Sequence, residues 1–186
     1  KELQKRLKVT TLFVTHDQEE ALTLSTRIAV VKGGKVIQVG TPTEVYESPR
    51  NHFISDFIGT SNFFQGLVLG DGRTIEAQNG VKIELPRVLA AGESVEVAIR
   101  PEKMRMTLER PQGDGNFLPA VLREIVYLGT NTHFHLETLD GSRIVVYQQN
   151  LIAHNDSFPL RSGDRVNLEW SKENVLILET EESQRT

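Results

Sequence analysis

The chain has 186 residues, of which 25% are charged and 38% are hydrophobic, and its 21 basic and 25 acidic side chains give a net charge of −4. This composition is that of a globular protein with one large or two small domains, and the lack of a basic block argues against a general nucleic-acid binder. The sequence has no cysteine, which excludes disulfides and cysteine-ligated metals and fits a cytosolic protein.

The first predicted elements are the end of a helix and a buried strand. The opening stretch KELQKRLK has leucines four residues apart, as in an amphipathic helix. Residues 10–15 (TTLFVT) form an unbroken apolar and β-branched run, which predicts a strand buried on both faces of a parallel sheet. Without parallel neighbours its edges would be exposed. We therefore expect a dimer in which this segment is swapped or re-paired, or local unfolding of the segment.

His16 lies where this strand passes into a helix. Asp17, accepting from backbone N–H groups, and Glu20, three residues later, predict an acidic N-terminal cap. In open α/β sheets this is the edge at which ligands bind, and a helix N-terminus favours anions. The position alone leaves a structural and a functional role open for His16, whereas capping is sufficient to explain the neighbouring carboxylates.

A hairpin and two short helices are predicted next. Residues 27–31 and 35–39 are apolar runs around a Gly-Gly pair, which predicts two strands joined by a tight turn with positive φ. The stretch 41–47 (TPTEVYE) predicts a helix with a proline in its first turn and a capping box. A second helix is predicted from residue 48 to a glycine at residue 59.

After residue 59 the apolar pattern changes from helical to alternating, which predicts a β unit. Asp-Gly and Asn-Gly pairs mark several turns. Many short strands at this spacing indicate a barrel or a sandwich. The predicted strands are 63–69, 73–77, 81–85, 94–100, 103–109, 118–127, 132–139, 142–148, 164–170 and 175–179.

The β part also contains an internal similarity. Residues 92–106 align without a gap with residues 163–177, and the Asp-Gly stretch 71–75 resembles 140–144. This pattern predicts a tandem repeat of two five-strand units that form two lobes of one β unit.

Two groups of side chains in the β part are candidates for binding. Arg100 and Glu102 end a predicted strand, where they either terminate it or contact a ligand. His133 and His135 are two residues apart on a strand and share a face. Histidine is a common metal ligand, but no carboxylate or third histidine lies at an obvious spacing, so we expect no metal site.

Most of the chain resembles one protein family. The motifs TLFVTHDQEEAL, RIAVVKGGKVIQVG and TPTEVYESP, in residues 11–49, are similar to those of the ATP-binding subunits of ABC transporters. Their order is typical of importers of sugars, polyamines, iron or anions, and FIGTSNFFQG is more similar to the spermidine/putrescine branch. The stretches AIRPEKMRM, VYLGTNTHFHL and GDRVNLEW, at 98–106, 126–136 and 163–170, resemble the TOBE region, an OB-like β domain.

The resemblance implies an α/β remnant of a P-loop NTPase domain in residues 1–60, followed by an all-β OB-like (TOBE) barrel domain with a tandem repeat in residues 61–180. The polar residues 181–186 are expected to form a disordered tail. The opening of the chain without a methionine fits a piece of a longer subunit, and we expect the C-terminal part.

The resemblance also assigns His16. It takes the position of the H-loop switch histidine, which in this family contacts the γ-phosphate of ATP. The family uses ATP and magnesium, but this sequence contains neither a G-x-x-x-x-G-K-[ST] loop nor an LSGGQ-type signature. We therefore expect no cofactor-binding residue in this chain, and no ATP hydrolysis by the chain alone.

The implied partners are a second copy of the subunit, membrane permease subunits and, indirectly, a solute-binding protein. The implied location is the cytoplasmic face of the inner membrane. A polyamine is the expected solute, with a sugar or iron(III) as alternatives. The alternative function is a stand-alone OB-like module for a small ligand. An oligonucleotide is not expected, because residues 60–180 have few aromatic side chains and a balanced charge.

Overall fold

The computed structural model describes residues 6, 9–78, 80–109, 115–151 and 160–179. The chain divides into two compact units, Lys1–Gly59 and Thr60–Thr186. Within the described residues, no helix has the length and apolar content needed to cross a bilayer.

The N-terminal unit is a small α/β arrangement. Its core consists of buried aliphatic side chains of the hairpin and the last two helices: Ile28, Val30, Val45, Ile54 and Ile58. Gly33 and Gly34 have φ values of 57° and 76°, as predicted for the turn of the hairpin. The elements are α1 (Gln18–Leu24), β1 (Ile28–Lys32), β2 (Lys35–Gly40), α2 (Pro42–Glu47) and α3 (His52–Phe57).

The predicted capping box of α2 is confirmed. The Thr41 hydroxyl accepts from the Glu44 N–H at 3.2 Å, and the Glu44 carboxylate accepts from the Thr41 N–H at 2.8 Å. These hydrogen bonds, chiefly the one from the Thr41 backbone, lower the pKa of Glu44. The predicted start of α3 at residue 48 is wrong, because the Ser48 N–H donates to the Glu44 carbonyl and closes α2. Asn51 caps α3 instead, accepting from the Ile54 N–H at 3.1 Å.

The predicted strand at residues 10–15 is not formed. These residues have no regular secondary structure, and Leu12 and Val14 are 91% and 88% exposed. None of the strands in the described ranges pairs with them. A strand without a neighbour leaves its backbone N–H and carbonyl groups unpaired and is not stable alone. The apolar sequence of residues 10–15 is therefore insufficient to form a strand.

The C-terminal unit contains two five-stranded antiparallel sheets in its described residues. Their strand orders are β12-β6-β3-β4-β5 and β10-β9-β8-β11-β7. All ten predicted strands are present, with ends within two residues of the prediction. The strands are β3 (Asn62–Val68), β4 (Thr74–Ala77), β5 (Lys82–Glu84), β6 (Ser94–Ile99), β7 (Arg105–Thr107), β8 (Asn116–Tyr127), β9 (Asn131–Thr138), β10 (Arg143–Gln149), β11 (Arg165–Trp170) and β12 (Val175–Leu178).

The two sheets exchange one edge strand each: β7 lies in the sheet formed by β8–β11, and β12 lies in the sheet formed by β3–β6. β7 follows β6 in sequence but pairs with β11, and β12 follows β11 but pairs with β6. The 3-10 turns Pro101–Lys103 and Lys172–Asn174 make the two crossings. The similar stretches 92–106 and 163–177 therefore occupy corresponding places. The Asp-Gly turns do not, because one joins β3 to β4 and the other joins β9 to β10.

Two asparagine side chains connect the sheets, each by hydrogen bonds from a strand of one sheet to an edge strand of the other. Asn62 opens β3 and forms two 2.8 Å hydrogen bonds with the N–H and carbonyl of Val145 on edge strand β10. Asn116 opens β8 and bonds the N–H and carbonyl of Glu84 on edge strand β5 at 2.6 and 3.2 Å. Each amide thus satisfies the backbone groups of an edge strand, where a neighbouring strand would otherwise be needed.

Candidate functional site

His16 lies on an exposed loop that is held in place by its neighbours. The Asp17 carboxylate accepts from the Glu20 N–H at 3.0 Å, so Asp17 is the N-cap of α1, as predicted. The Thr15 hydroxyl accepts from the Asp17 N–H at 2.9 Å and donates to the Glu20 carboxylate at 2.8 Å. The peptide that carries His16 is therefore fixed on both sides, while the residue itself is exposed to solvent.

Arg100 and Glu102, predicted as a pair, are placed in different surroundings. Arg100 is 0% exposed, whereas Glu102 is exposed on the following 3-10 turn. The Arg100 Nη1 donates to the Ser61 hydroxyl at 2.8 Å and to the Thr60 carbonyl at 3.3 Å. The guanidinium is thus directed at the first residues of the C-terminal unit and not at solvent.

His133 on β9 stacks on Tyr147 of the adjacent strand β10. It lies directly opposite Tyr147, and the two ring centroids are 3.7 Å apart with the planes 17° from parallel. Burial, and to a smaller extent the nearby His135, lower the pKa of His133 and favour its neutral form. The Tyr147 hydroxyl donates to the Thr60 hydroxyl at 3.0 Å.

A metal site is not supported by this geometry. Within the parts of the chain that the structure describes, no three His, Asp or Glu side chains are grouped so that they could hold a metal ion.

The structure also has an open cleft on the outer face of β3 and β4. Its volume is about 400 Å³, and it contains neither Arg100 nor His133. The residues that line it are Gln65, Gly66, Leu67, Glu76, Ala77, Gln78, Gly80 and Ser94. Two amides, one hydroxyl and one carboxylate supply its side-chain polar groups, and this composition disfavours an anionic ligand.

The sequence did not predict the cluster formed by Thr60, Asn62 and Tyr147. The Tyr147–Thr60 hydrogen bond joins residues 87 positions apart, and the Asn62–Val145 bonds join residues 83 apart. Local patterns do not report such contacts. The one available signal was an asparagine directly before each of two apolar stretches, since an amide there must find partners once it is buried.

The comparisons with known proteins give one family match and several similar relatives. Residues 97–178 match the TOBE domain family. The chain is 40% identical over 96% of its length to the spermidine/putrescine import ATP-binding protein PotA of Rubrobacter xylanophilus. Its identity to the proteins of the same name from Ruegeria pomeroyi and Acidothermus cellulolyticus is 40% and 42%, over 96% and 93% of the chain.

The chain spans about half the length of these relatives, since it covers 47%, 48% and 46% of them. A solved structure, the cytoplasmic molybdate-binding protein ModG, matches with a TM-score of 0.54 at 17% identity. The match covers 62% of this chain and 94% of that one, and it supports the OB-like fold alone. Residues 97–178 are therefore similar to a TOBE domain, and most of the chain is similar to part of these longer import ATP-binding proteins.

Proposed function

We propose that this chain is the C-terminal part of an ATP-binding subunit that couples ATP hydrolysis to the import of a polyamine. The observation that carries the proposal is the 40% identity, over 96% of the chain, to proteins named as spermidine/putrescine import ATP-binding proteins. A sugar and iron(III) are the alternative solutes. ATP and magnesium are the cofactors of the whole subunit.

In this proposal residues 1–60 are the remnant of the P-loop NTPase domain, and His16 is its switch histidine. The capped turn before α1 supports this role, because it fixes the peptide of His16 while leaving the residue exposed. Phosphate binding by a glycine-rich loop and a lysine has no counterpart in this sequence. The chain alone therefore neither binds ATP tightly nor hydrolyses it.

Residues 61–180 are proposed to be the regulatory β domain, which also helps two copies of the subunit to dimerise. The exchanged edge strands support the further proposal that this domain is a tandem repeat, because β7 and β12 make reciprocal crossings. Residues 181–186, proposed as a disordered tail, lie outside the described residues. Permease subunits at the cytoplasmic face of the membrane, and through them a solute-binding protein, complete the assembly.

The test uses the complete subunit, expressed from the native gene together with its permease. We expect ATP hydrolysis that falls about 10²-fold or more in His16→Ala, because a group acting on the transferred phosphate or its water is lost. His135→Gln is the matched control and should hydrolyse ATP normally. Unchanged turnover in His16→Ala would contradict the role of His16.

The solute is tested separately by uptake of labelled spermidine, putrescine, maltose and iron(III). Uptake of a polyamine alone supports the proposal. Uptake of maltose or iron would show that the proposed solute is wrong, without contradicting the proposed ATPase role.

A second candidate function is a β module that binds a small ligand by itself. The fold similarity to a protein whose title names molybdate makes molybdate the first ligand to test. A concentration-dependent rise in the melting temperature of this chain with molybdate would support it. The described residues lining the 400 Å³ cleft include Glu76 but no lysine or arginine, and this opposes an oxyanion there.

A further inference from the structure

We propose that hydrogen bonds from Arg100, Tyr147 and the Val145 backbone form a latch that fixes the entry segment, residues 60–62, to both sheets of the C-terminal unit. The entry segment is the first part of this unit, so every force transmitted along the chain from residue 59 reaches the unit through it.

The first contact comes from the end of β6. Arg100 is fully buried there, and its Nη1 donates to the Thr60 carbonyl and the Ser61 hydroxyl. A buried cation requires hydrogen-bond acceptors, since an unsolvated charge is costly. The residues of the entry segment supply two of them, which holds the segment against β6.

The second and third contacts come from β10, on the other sheet. The Tyr147 hydroxyl donates to the Thr60 hydroxyl at 3.0 Å, and the Asn62 amide makes two hydrogen bonds with the Val145 backbone. The stack of His133 on Tyr147 restricts the tyrosine ring and so holds its hydroxyl at Thr60.

The segment is thus bonded to one sheet by a buried cation and to the other by a phenol and an amide. Residues 60–62 are hydrogen-bonded to β6 in one sheet and to β10 in the other. A displacement of the chain at residue 60 is therefore transmitted to both sheets. A segment held by only one of these contacts would absorb the displacement by local rotation of its backbone dihedrals.

The experiment measures backbone ¹⁵N order parameters and amide hydrogen exchange in this chain. In the unaltered chain, Thr60 and Ser61 should be rigid, with order parameters of about 0.85. In Arg100→Met they should fall below about 0.6, the range of flexible backbone. Tyr147→Phe, which removes one hydroxyl, should give an intermediate fall at Thr60, with β4 and β5 unchanged.

The controls are Arg123→Met and Tyr127→Phe. Arg123 forms a largely exposed ion pair with Glu137, and Tyr127 is 65% exposed, so neither substitution should alter the entry segment. If Arg100→Met fails to fold, Tyr147→Phe decides the question. Unchanged order parameters at Thr60 and Ser61, or an equal loss of order throughout the β unit, would overturn the latch.

Discussion

The two units of this chain differ in how completely they satisfy their own backbone and apolar side chains. In the C-terminal unit, Asn62 and Asn116 bond the edge strands, and a continuous core lies between the sheets. In the N-terminal unit, the core is small, and Leu12, Phe13 and Val14 are 91%, 59% and 88% exposed.

The difference teaches that an apolar run becomes a strand only when hydrogen-bonding partners are within reach. Residues 12–14 are as apolar as the buried positions of β6 or β11, but no described strand runs beside them. The hydrophobic effect favours burial of apolar side chains but has no directional preference. A strand additionally requires hydrogen-bond partners for its backbone N–H and carbonyl groups.

The largest expected effect comes from the same substitution made once in each unit. Leu122→Ala empties a site that is 0% exposed and should lower the free energy of unfolding by about 2–5 kcal/mol. Leu12→Ala should change it by less than about 0.5 kcal/mol, because the side chain is 91% exposed. Urea unfolding of both variants measures this, and equal losses would show that residue 12 is buried in solution.

A second test removes the asparagines that close the sheets. Asn62→Ala and Asn116→Ala should each cost about 1–3 kcal/mol, because backbone groups of β10 or β5 lose their partners. The free energy of unfolding from urea titrations gives the cost. Gln148→Ala, on β10, is the control and should be nearly neutral. Losses no larger than that of the control would show that water replaces the amides at these edges.

A third test compares the two helix caps of the N-terminal unit. Thr41→Ala breaks the complete capping box of α2 and should cost about 1 kcal/mol of local stability. Asp17→Ala should cost less, because α1 buries no residue and its unfolding loses little. Amide hydrogen exchange of the two helices reports both changes. A larger loss of exchange protection in α1 of Asp17→Ala than in α2 of Thr41→Ala would contradict this prediction.

The smallest expected effect is a pH dependence specific to the β unit. Because the pKa of His133 is lowered in the fold, the unfolded chain binds its proton first as the pH falls. Stability is therefore intact above the ordinary histidine pKa of 6.5 and declines as the pH falls through it. His133→Gln should remove this decline.

Urea midpoints measured from pH 8 to pH 3 test this. The loss below about pH 4 should persist in His133→Gln, since Asp71 and Asp140 also have lowered pKa values, from hydrogen bonds with Thr74 and Ser142 respectively. An unaltered decline between pH 7 and pH 5 would show that another group titrates there.

The amino-acid sequence by itself determined the elements whose signals are local. The Gly-Gly turn, the Thr41 capping box and the alternation that defines β3–β12 depend on residues within a few positions of each other. It also carried the motif TLFVTHDQEEAL around His16, from which the resemblance to ABC transporter ATP-binding subunits was inferred.

Only the tertiary structure decided which apolar segments are paired and where the polar side chains lie. The sequence predicts Arg100 as a strand terminator or a ligand contact. In the structure it is buried, and Thr60 and Ser61 supply hydrogen-bond acceptors to it. Residues 10–15 read as a buried strand, but they stay irregular because no described strand supplies a ladder. In both cases the deciding hydrogen-bond partner, present or missing, is remote in sequence, and no local pattern specifies it.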